Sequence, residues 1–241
     1  MPVTVTPVPC LSDNYTWLLR APDGRLAVCD PGEAAPVIAA VDAQGGRLDA
    51  ILLTHHHGDH VAGVDELVQR YGAKVVGAVA DAHRLPPLDV AVAPGQSIEV
   101  IGVPAEVLAS DGHTRGHIAF HFPECAILLC GDTLFSLGCG RLLEGTAEEM
   151  FASLQRLAAL PPETLVCCGH EYSESNARFA LTVEPDNASL RARAEEITRQ
   201  RAAGKPTVPT TIGQENAANP FMRAKDVATL ARIRAAKDNF R

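Results

Sequence analysis

The sequence predicts an α/β protein in which two sheets pack face to face with helices outside, extended by a small helical region at the C-terminus. Three observations lead there. Short apolar runs alternate with amphipathic stretches through the first two-thirds of the 241 residues. The order of several strands followed by a helix occurs twice, as two similar halves would give. From about Ser173 onward the pattern turns helical, with no β core of its own.

In chain order, "VTVTPVP", "YTWLLR" and "RLAVCD" read as strands, and Pro31-Gly32 turns the chain into a helix near residues 34–44. "AILL" is a buried strand. After "THHHGDH", Val61, Val64, Leu67, Val68 and Tyr71 recur at helical spacing, so the histidines lie on a strand-to-helix loop. "KVVGAV", "SIEVIGV", "AEVLAS", "HIAFHF" and "AILLC" supply further strands, "AEEMFASLQRLAAL" a helix and "TLVCC" another strand. In the last third "SESNARFALTV", "NASLRARAEEITRQRAAG" and "AKDVATLARIRAAKDNF" read as helices, broken by the loop "GKPTVPTTIGQENAANPFM". The expected division is residues 1–172 and 173–241.

Composition limits the function. With 46% hydrophobic and 21% charged residues the chain has the balance of a globular protein. No apolar run approaches the roughly 18 to 20 residues of a spanning helix, and "MPVTVTPVPC" lacks a signal core, so a cytoplasmic protein without membrane contact is expected. The net charge of −8 argues against a broad nucleic-acid surface. The seven cysteines show no paired metal spacing, and adjacent Cys167 and Cys168 make a poor bridge, so reduced, mostly buried thiols are expected. The chain is expected to act as a monomer.

Four apolar strands end in His or Asp beside glycine: "AILL" before "THHHGDH", "AEVLAS" before "DGHTRGH", "AILLC" before "GDT" and "TLVCC" before "GHEY". In open α/β architectures such strand ends face one crevice, where ligands bind. Imidazole and carboxylate without thiolate suit zinc, iron or manganese. His55 and His57 project to one side of an extended loop while His56 points away. With Asp59, His60, His113, Asp132 and His170 this makes seven candidates, too many for one tetrahedral ion and suitable for two. The expected sets are His55, His57 and His113 on one ion, Asp59, His60 and His170 on the other, and Asp132 bridging. A lone histidine is more often a surface or satisfied core residue, so His83 and His121 are left out. His56 reads as a spacer or a supporting residue; the "HTRGH" spacing makes His117 a rival to His113, although after Gly116 it reads better as the start of the next strand, placed to hydrogen-bond a ligand. Cys139 has no base beside it in sequence and reads as structural.

His55, His57, Asp59 and His60 match the HxHxDH signature of the metallo-β-lactamase superfamily, a resemblance that implies an αββα sandwich with the metal site at one edge. Its substrates are diverse, so the fold alone does not choose among them. "DNYTWLL", "GDTLFSLGCGRLLEGTAEEM", "CGHEYSESNARFA", "VEPDN", "KPTVPTT", "NPFMR" and "RAAKDNF" resemble glyoxalase II, the hydroxyacylglutathione hydrolases, over essentially the whole chain. That resemblance implies a catalytic domain at 1–172 and a glutathione-binding helical domain at 173–241. It also implies Arg141 as a glutathione contact, Tyr172 and Asn176 beside the site, and Arg234 with Lys237 as the pair holding the glycine carboxylate. Being three apart on a helix, Arg234 and Lys237 can face one anion. Two positions depart from the family: Leu143 stands where many relatives have a substrate-contacting tyrosine, and "SDGHT" replaces "TPGHT".

The expected reaction is hydrolysis of a glutathione thioester, S-D-lactoylglutathione giving D-lactate and glutathione, by a hydroxide shared between two divalent ions, zinc first, iron or manganese also suitable. Asp59 orients the hydroxide and Asp132 bridges the metals. A thiol leaves readily, so no dedicated general acid is needed. The alternatives are a glutathione persulfide dioxygenase, another metal-dependent hydrolase of the superfamily such as a lactonase, and a metal-dependent binding protein without catalysis.

Overall fold

The computed structural model describes residues 3–240; Met1, Pro2 and Arg241, the outermost residues of the two expected domains, lie outside the described residues. The chain divides into two compact units, Met1–Ala109 with Gly116–Gly131, and Ser110–Arg115 with Asp132–Arg241.

The first unit opens with β1 (Thr4–Cys10), β2 (Asn14–Arg20) and β3 (Leu26–Cys29), paired antiparallel in succession. Helix α1 (Ala34–Asp42) then carries the chain over to β4 (Ala50–Leu52), parallel to β3. The short α2 (Gly58–Val61) and α3 (Val64–Tyr71) lead to β5 (Lys74–Ala78), and β6 (Val90–Val92) closes the sheet in parallel. Leu18, Val28, Ile51 and Val75 on one face bury Val37 and Val41 of α1 and Val64 and Leu67 of α3. Trp17, Leu19, Ala27 and Leu52 alternate with them and are buried too, so the sheet is covered on both faces. The same unit holds the second layer, in the order β10-β9-β8-β7: β7 (Ser97–Val100), β8 (Val103–Ala109), β9 (Ile118–Phe122) and β10 (Ile127–Gly131), joined as antiparallel hairpins.

Because β3 and β4 run parallel with Cys29 opposite Leu52, their C-terminal ends release Asp30 and Thr54 side by side on one edge. The run "SIEVIGV" is not one strand: Ile101 and Gly102 take positive φ (48° and 78°) and turn it into a hairpin whose second arm is β8.

In the second unit β11 (Leu134–Phe135) and β12 (Gly138–Cys139) form a small hairpin after Asp132. Helix α4 (Ala147–Ala158) begins at a capping box, with Thr146 accepting from the Glu149 amide and Glu149 accepting from the Thr146 amide. Strand β13 (Leu165–Cys168) ends just before His170. The helices α5 (Ser173–Val183) and α6 (Ala188–Ala202) pack Ala177, Ala180, Leu190, Ala194 and Ile197 into one cluster. The stretch read as a loop holds β14 (Thr210–Thr211), paired with β13, and α7 (Ile212–Ala218), capped by Thr211 with Gln214. Helix α8 (Val227–Asp238) completes the unit. Among the described residues no helix is long and apolar enough to cross a membrane. All seven cysteines are free thiols, and all but Cys125 are buried.

Candidate metal centre

In the first unit, the loop after β4 gathers His55, His57, Asp59 and His60. His55 Nε2 lies 3.2 Å from His57 Nδ1, and the two rings meet edge to face. His56 turns away, as its place in an extended loop requires, and meets the carboxylate of Asp81 at 2.9 Å. Behind the loop stands Asp30. Its Oδ1 accepts from the Thr54 amide (2.8 Å) and its Oδ2 from the Thr54 hydroxyl (2.6 Å) and His60 Nδ1 (3.2 Å). With its proton given to Asp30, the Thr54 hydroxyl accepts from His55 Nδ1 at 3.0 Å. One buried carboxylate therefore fixes both imidazoles as Nδ1–H tautomers and leaves their lone pairs on Nε2. Asn14 Nδ2 donates to Asp59 Oδ2 (3.0 Å), and that oxygen lies 3.7 Å from His60 Nε2. His117, fully buried, stacks on His55 with centroids 4.7 Å apart. Strand β10 approaches Thr54 so closely that a Cβ on Gly131 would sit 2.3 Å from its hydroxyl.

In the second unit, Asp132 Oδ2 lies 3.4 Å from His113 Nε2 and 3.3 Å from His170 Nε2. His113 Nδ1 donates to the Arg141 carbonyl at 2.8 Å, so this imidazole too carries its lone pair on Nε2. His170 stacks flat on Tyr172, centroids 4.5 Å apart. The unusual "SDGHT" approach to His113 is held from both sides, Thr133 donating to the Ser110 carbonyl (2.9 Å) and Ser153 to that of Asp111 (2.7 Å). The donor chemistry fits divalent ions: imidazole and carboxylate atoms converge without thiolate, and the remote ring nitrogens of His55, His60 and His113 are committed as donors.

A cavity of about 410 Å³ in the same unit is lined by His113 and Asp132 and by Arg141, Tyr172, Asn176, Arg234 and Lys237. Arg234 and Lys237 share one face of α8. Arg234 is buried, donating to the Cys139 carbonyl and to Asp238, both at 2.8 Å. Lys237 donates to the carbonyl (3.1 Å) and hydroxyl (2.9 Å) of Ser175. Burial, then the charges of Arg234 and Arg178, lower its pKa to about 8. Asn176 turns its amide to the Ser136 carbonyl (3.1 Å), bracing the β11–β12 hairpin. Cys139 also lines the cavity, but burial pushes its thiol up to about 11 in spite of Arg234, which leaves little thiolate at neutral pH. Leu143 is exposed, its amide donating to the His113 carbonyl at 3.3 Å.

The family model described as the metallo-beta-lactamase superfamily matches residues 12–170, and that described as the hydroxyacylglutathione hydrolase C-terminus matches residues 171–240. The hydroxyacylglutathione hydrolase of Acidiphilium cryptum (strain JF-5) is 57% identical over 98% of this chain and 97% of its own length. That of Ruegeria pomeroyi is 52% identical over the whole of both chains. The chain belongs to the hydroxyacylglutathione hydrolase family. Among solved structures, TTHA1623 in a di-iron-bound form is 31% identical, with a TM-score of 0.63 over 92% of this chain and 99% of that one. The fold is therefore the α/β metallo-β-lactamase fold with a helical C-terminal region, as the sequence predicts.

Within this hydroxyacylglutathione hydrolase fold, sequence reasoning passed over residues that hold others in place. Asp30 ends "RLAVCD", an apolar strand that releases an acid before Pro-Gly, a variant of the strand-end pattern sought for the ligands. Asn14 carries no such signal, because its partner Asp59 is 45 residues away. Asp238 lies one residue beyond Lys237, where sequence offers only a helix-end charge.

Proposed function

We propose that this chain hydrolyses glutathione thioesters, S-D-lactoylglutathione to D-lactate and glutathione, using two divalent ions, zinc first. In this reading His55, His57 and His113 would hold one ion and Asp59, His60 and His170 the other, with Asp132 available to both. The observation that carries it is the cavity whose lining joins His113 and Asp132 to the cations Arg141, Arg234 and Lys237. An anionic tripeptide fits such a clamp on a chain of net charge −8, and the full-length relatives carry the matching activity in their names.

Bound there, the ions supply an activated water near neutral pH and polarise the thioester carbonyl. The chain's own work is to place the groups. Asp30 and the Arg141 carbonyl hold the imidazoles in the ligating tautomer. Asp59, steadied by Asn14, orients the water, and Tyr172, stacked on His170, lines the cavity beside the reacting centre. Arg234, Lys237 and Arg141 bind the glutathione carboxylates, so the acyl group is directed toward Asp132. The thiolate leaves without a dedicated acid, since thiols are weak bases. Residues 173–241 form the glutathione-binding helical part, joined in the clamp by Arg141 of the catalytic part, 1–172.

Metal-loaded protein tested on a panel of glutathione thioesters is expected to hydrolyse them, and Asp132→Ala to lose metal and turnover together. Normal turnover by Asp132→Ala, or oxygen uptake on glutathione persulfide in place of hydrolysis, contradicts the proposal.

A further inference from the structure

We infer that Asp238 is a positioning residue of the anion clamp, its carboxylate holding Arg141 and Arg234 together and keeping the clamp charged toward a substrate carboxylate. The inference rests on the reading that this cavity takes the glutathione moiety.

A single oxygen, Asp238 Oδ1, accepts from Arg234 Nη2 at 2.8 Å and from Arg141 Nε at 3.3 Å. Arg141 comes from the loop after β12 and Arg234 from α8, 93 residues later in the chain. Two guanidiniums brought to one point repel unless an anion lies between them. Arg234 needs that anion most. It is 7% exposed, and besides Asp238 it donates to the neutral Cys139 carbonyl, so without the carboxylate a cation would stand buried against neutral groups. Asp238 and Arg234 form an i,i+4 pair of α8, but that pairing does not account for the reach to Arg141, and the position is a poor one for the helix itself. Asp238 is the last residue of α8, where the helix dipole disfavours a negative charge.

The charge reaches Lys237 as well. Lys237 is faced by Arg234 and Asp238 from its own helix, by Arg178 and Ser175 from α5, and by the rings of Phe179 and Phe240 at 5.5 and 5.6 Å. Of the charged groups named, Asp238 alone favours the ammonium, while burial and the two arginines disfavour it. Neutralising Asp238 therefore discharges Lys237 at lower pH and lets Arg141, whose side chain is 61% exposed, swing into solvent. Both changes weaken carboxylate binding and leave the reacting centre alone.

The test is steady-state kinetics of the metal-loaded, full-length Asp238→Asn and Asp238→Glu variants on a glutathione thioester, across pH about 6 to 9. For Asp238→Asn, KM is expected to rise about tenfold while kcat changes by less than about twofold, the scale of one lost charged hydrogen bond. The rise of KM with pH is expected to begin at lower pH than in the parent, and Asp238→Glu to recover most of the affinity. For Asp238→Asn, a KM and pH profile matching the parent overturns the inference, as does a proportional fall of kcat and metal content. Should Asp238→Asn not fold, Asp238→Ser takes its place with the same expected rise in KM and earlier pH dependence, and a parent-like KM and profile there overturns the inference; Asp238→Glu, which keeps the charge, is expected to match the parent's profile. A parent enzyme that turns over no glutathione thioester would instead overturn the reading of the cavity itself.

Discussion

At the scale of the residue, chemistry depends on groups that never touch a substrate. Asp30 is the clearest case. It ties His60 directly and His55 through Thr54, so one carboxylate sets the tautomer of two candidate ligands. Asp30→Asn puts an amide, itself a donor, where three donors need acceptors. Such outer partners are worth roughly 10- to 100-fold in metal affinity, and a loss on that scale is expected when the variant competes with a chelator for zinc. Lys237 gives the pH dependence. With its pKa lowered to about 8 by burial and neighbouring cations, it is charged below that pH and neutral above it. KM for an anionic thioester is therefore expected to climb as pH rises through about 8, and Lys237→Met to flatten that climb. The candidate histidines stand out in the sequence because their spacing and glycine neighbours lie within a few residues. Asp30 and Asn14 do not, because what they do depends on partners 24 to 45 residues away.

At the scale of the element, strand ends deliver the chemistry and turns fix its aim. Gly112, just before His113, has φ of +135°, and a Cβ there would lie 2.7 Å from the Met150 backbone in α4. Gly112→Ala is expected to destabilise the fold and to lower metal affinity in the same variant, since α4 or the His113 loop must move; urea unfolding and metal titration read the two effects. Helix α7 shows where sequence reading fell short. Its cap, Thr211 with Gln214, is written in the sequence, but Gly213 and the surrounding prolines and polar residues read as loop. Packing overrides that weak propensity: Gly213 lies against Pro162, while Glu215 and Asn219 brace the β11–β12 hairpin through the Leu137 amide and the Gly138 carbonyl. Thr211→Ala is expected to cost about 1 kcal/mol, seen as a lower urea midpoint without a change in slope. The longer helices were legible from apolar periodicity, whereas two- and three-residue strands such as β6 and β14 hold too few side chains to show any period.

At the scale of the whole molecule, the alternation of strands and helices and the final helical third were both visible in the pattern of apolar residues. Covering both faces of the mixed first sheet, whose β3–β6 run parallel, requires that pattern. What the pattern could not supply was which carboxylates brace the cations, since an acid at a helix end looks alike whether solvated or paired. The central claim is that two ions act together in one family-typical centre. It is tested by stripping the protein of metal, adding zinc back in known amounts and following both hydrolysis of a glutathione thioester and bound metal per chain. Activity is expected to reach its plateau only when a second equivalent has bound. A plateau at one equivalent, or metal bound in full with no thioester hydrolysed, would contradict the account.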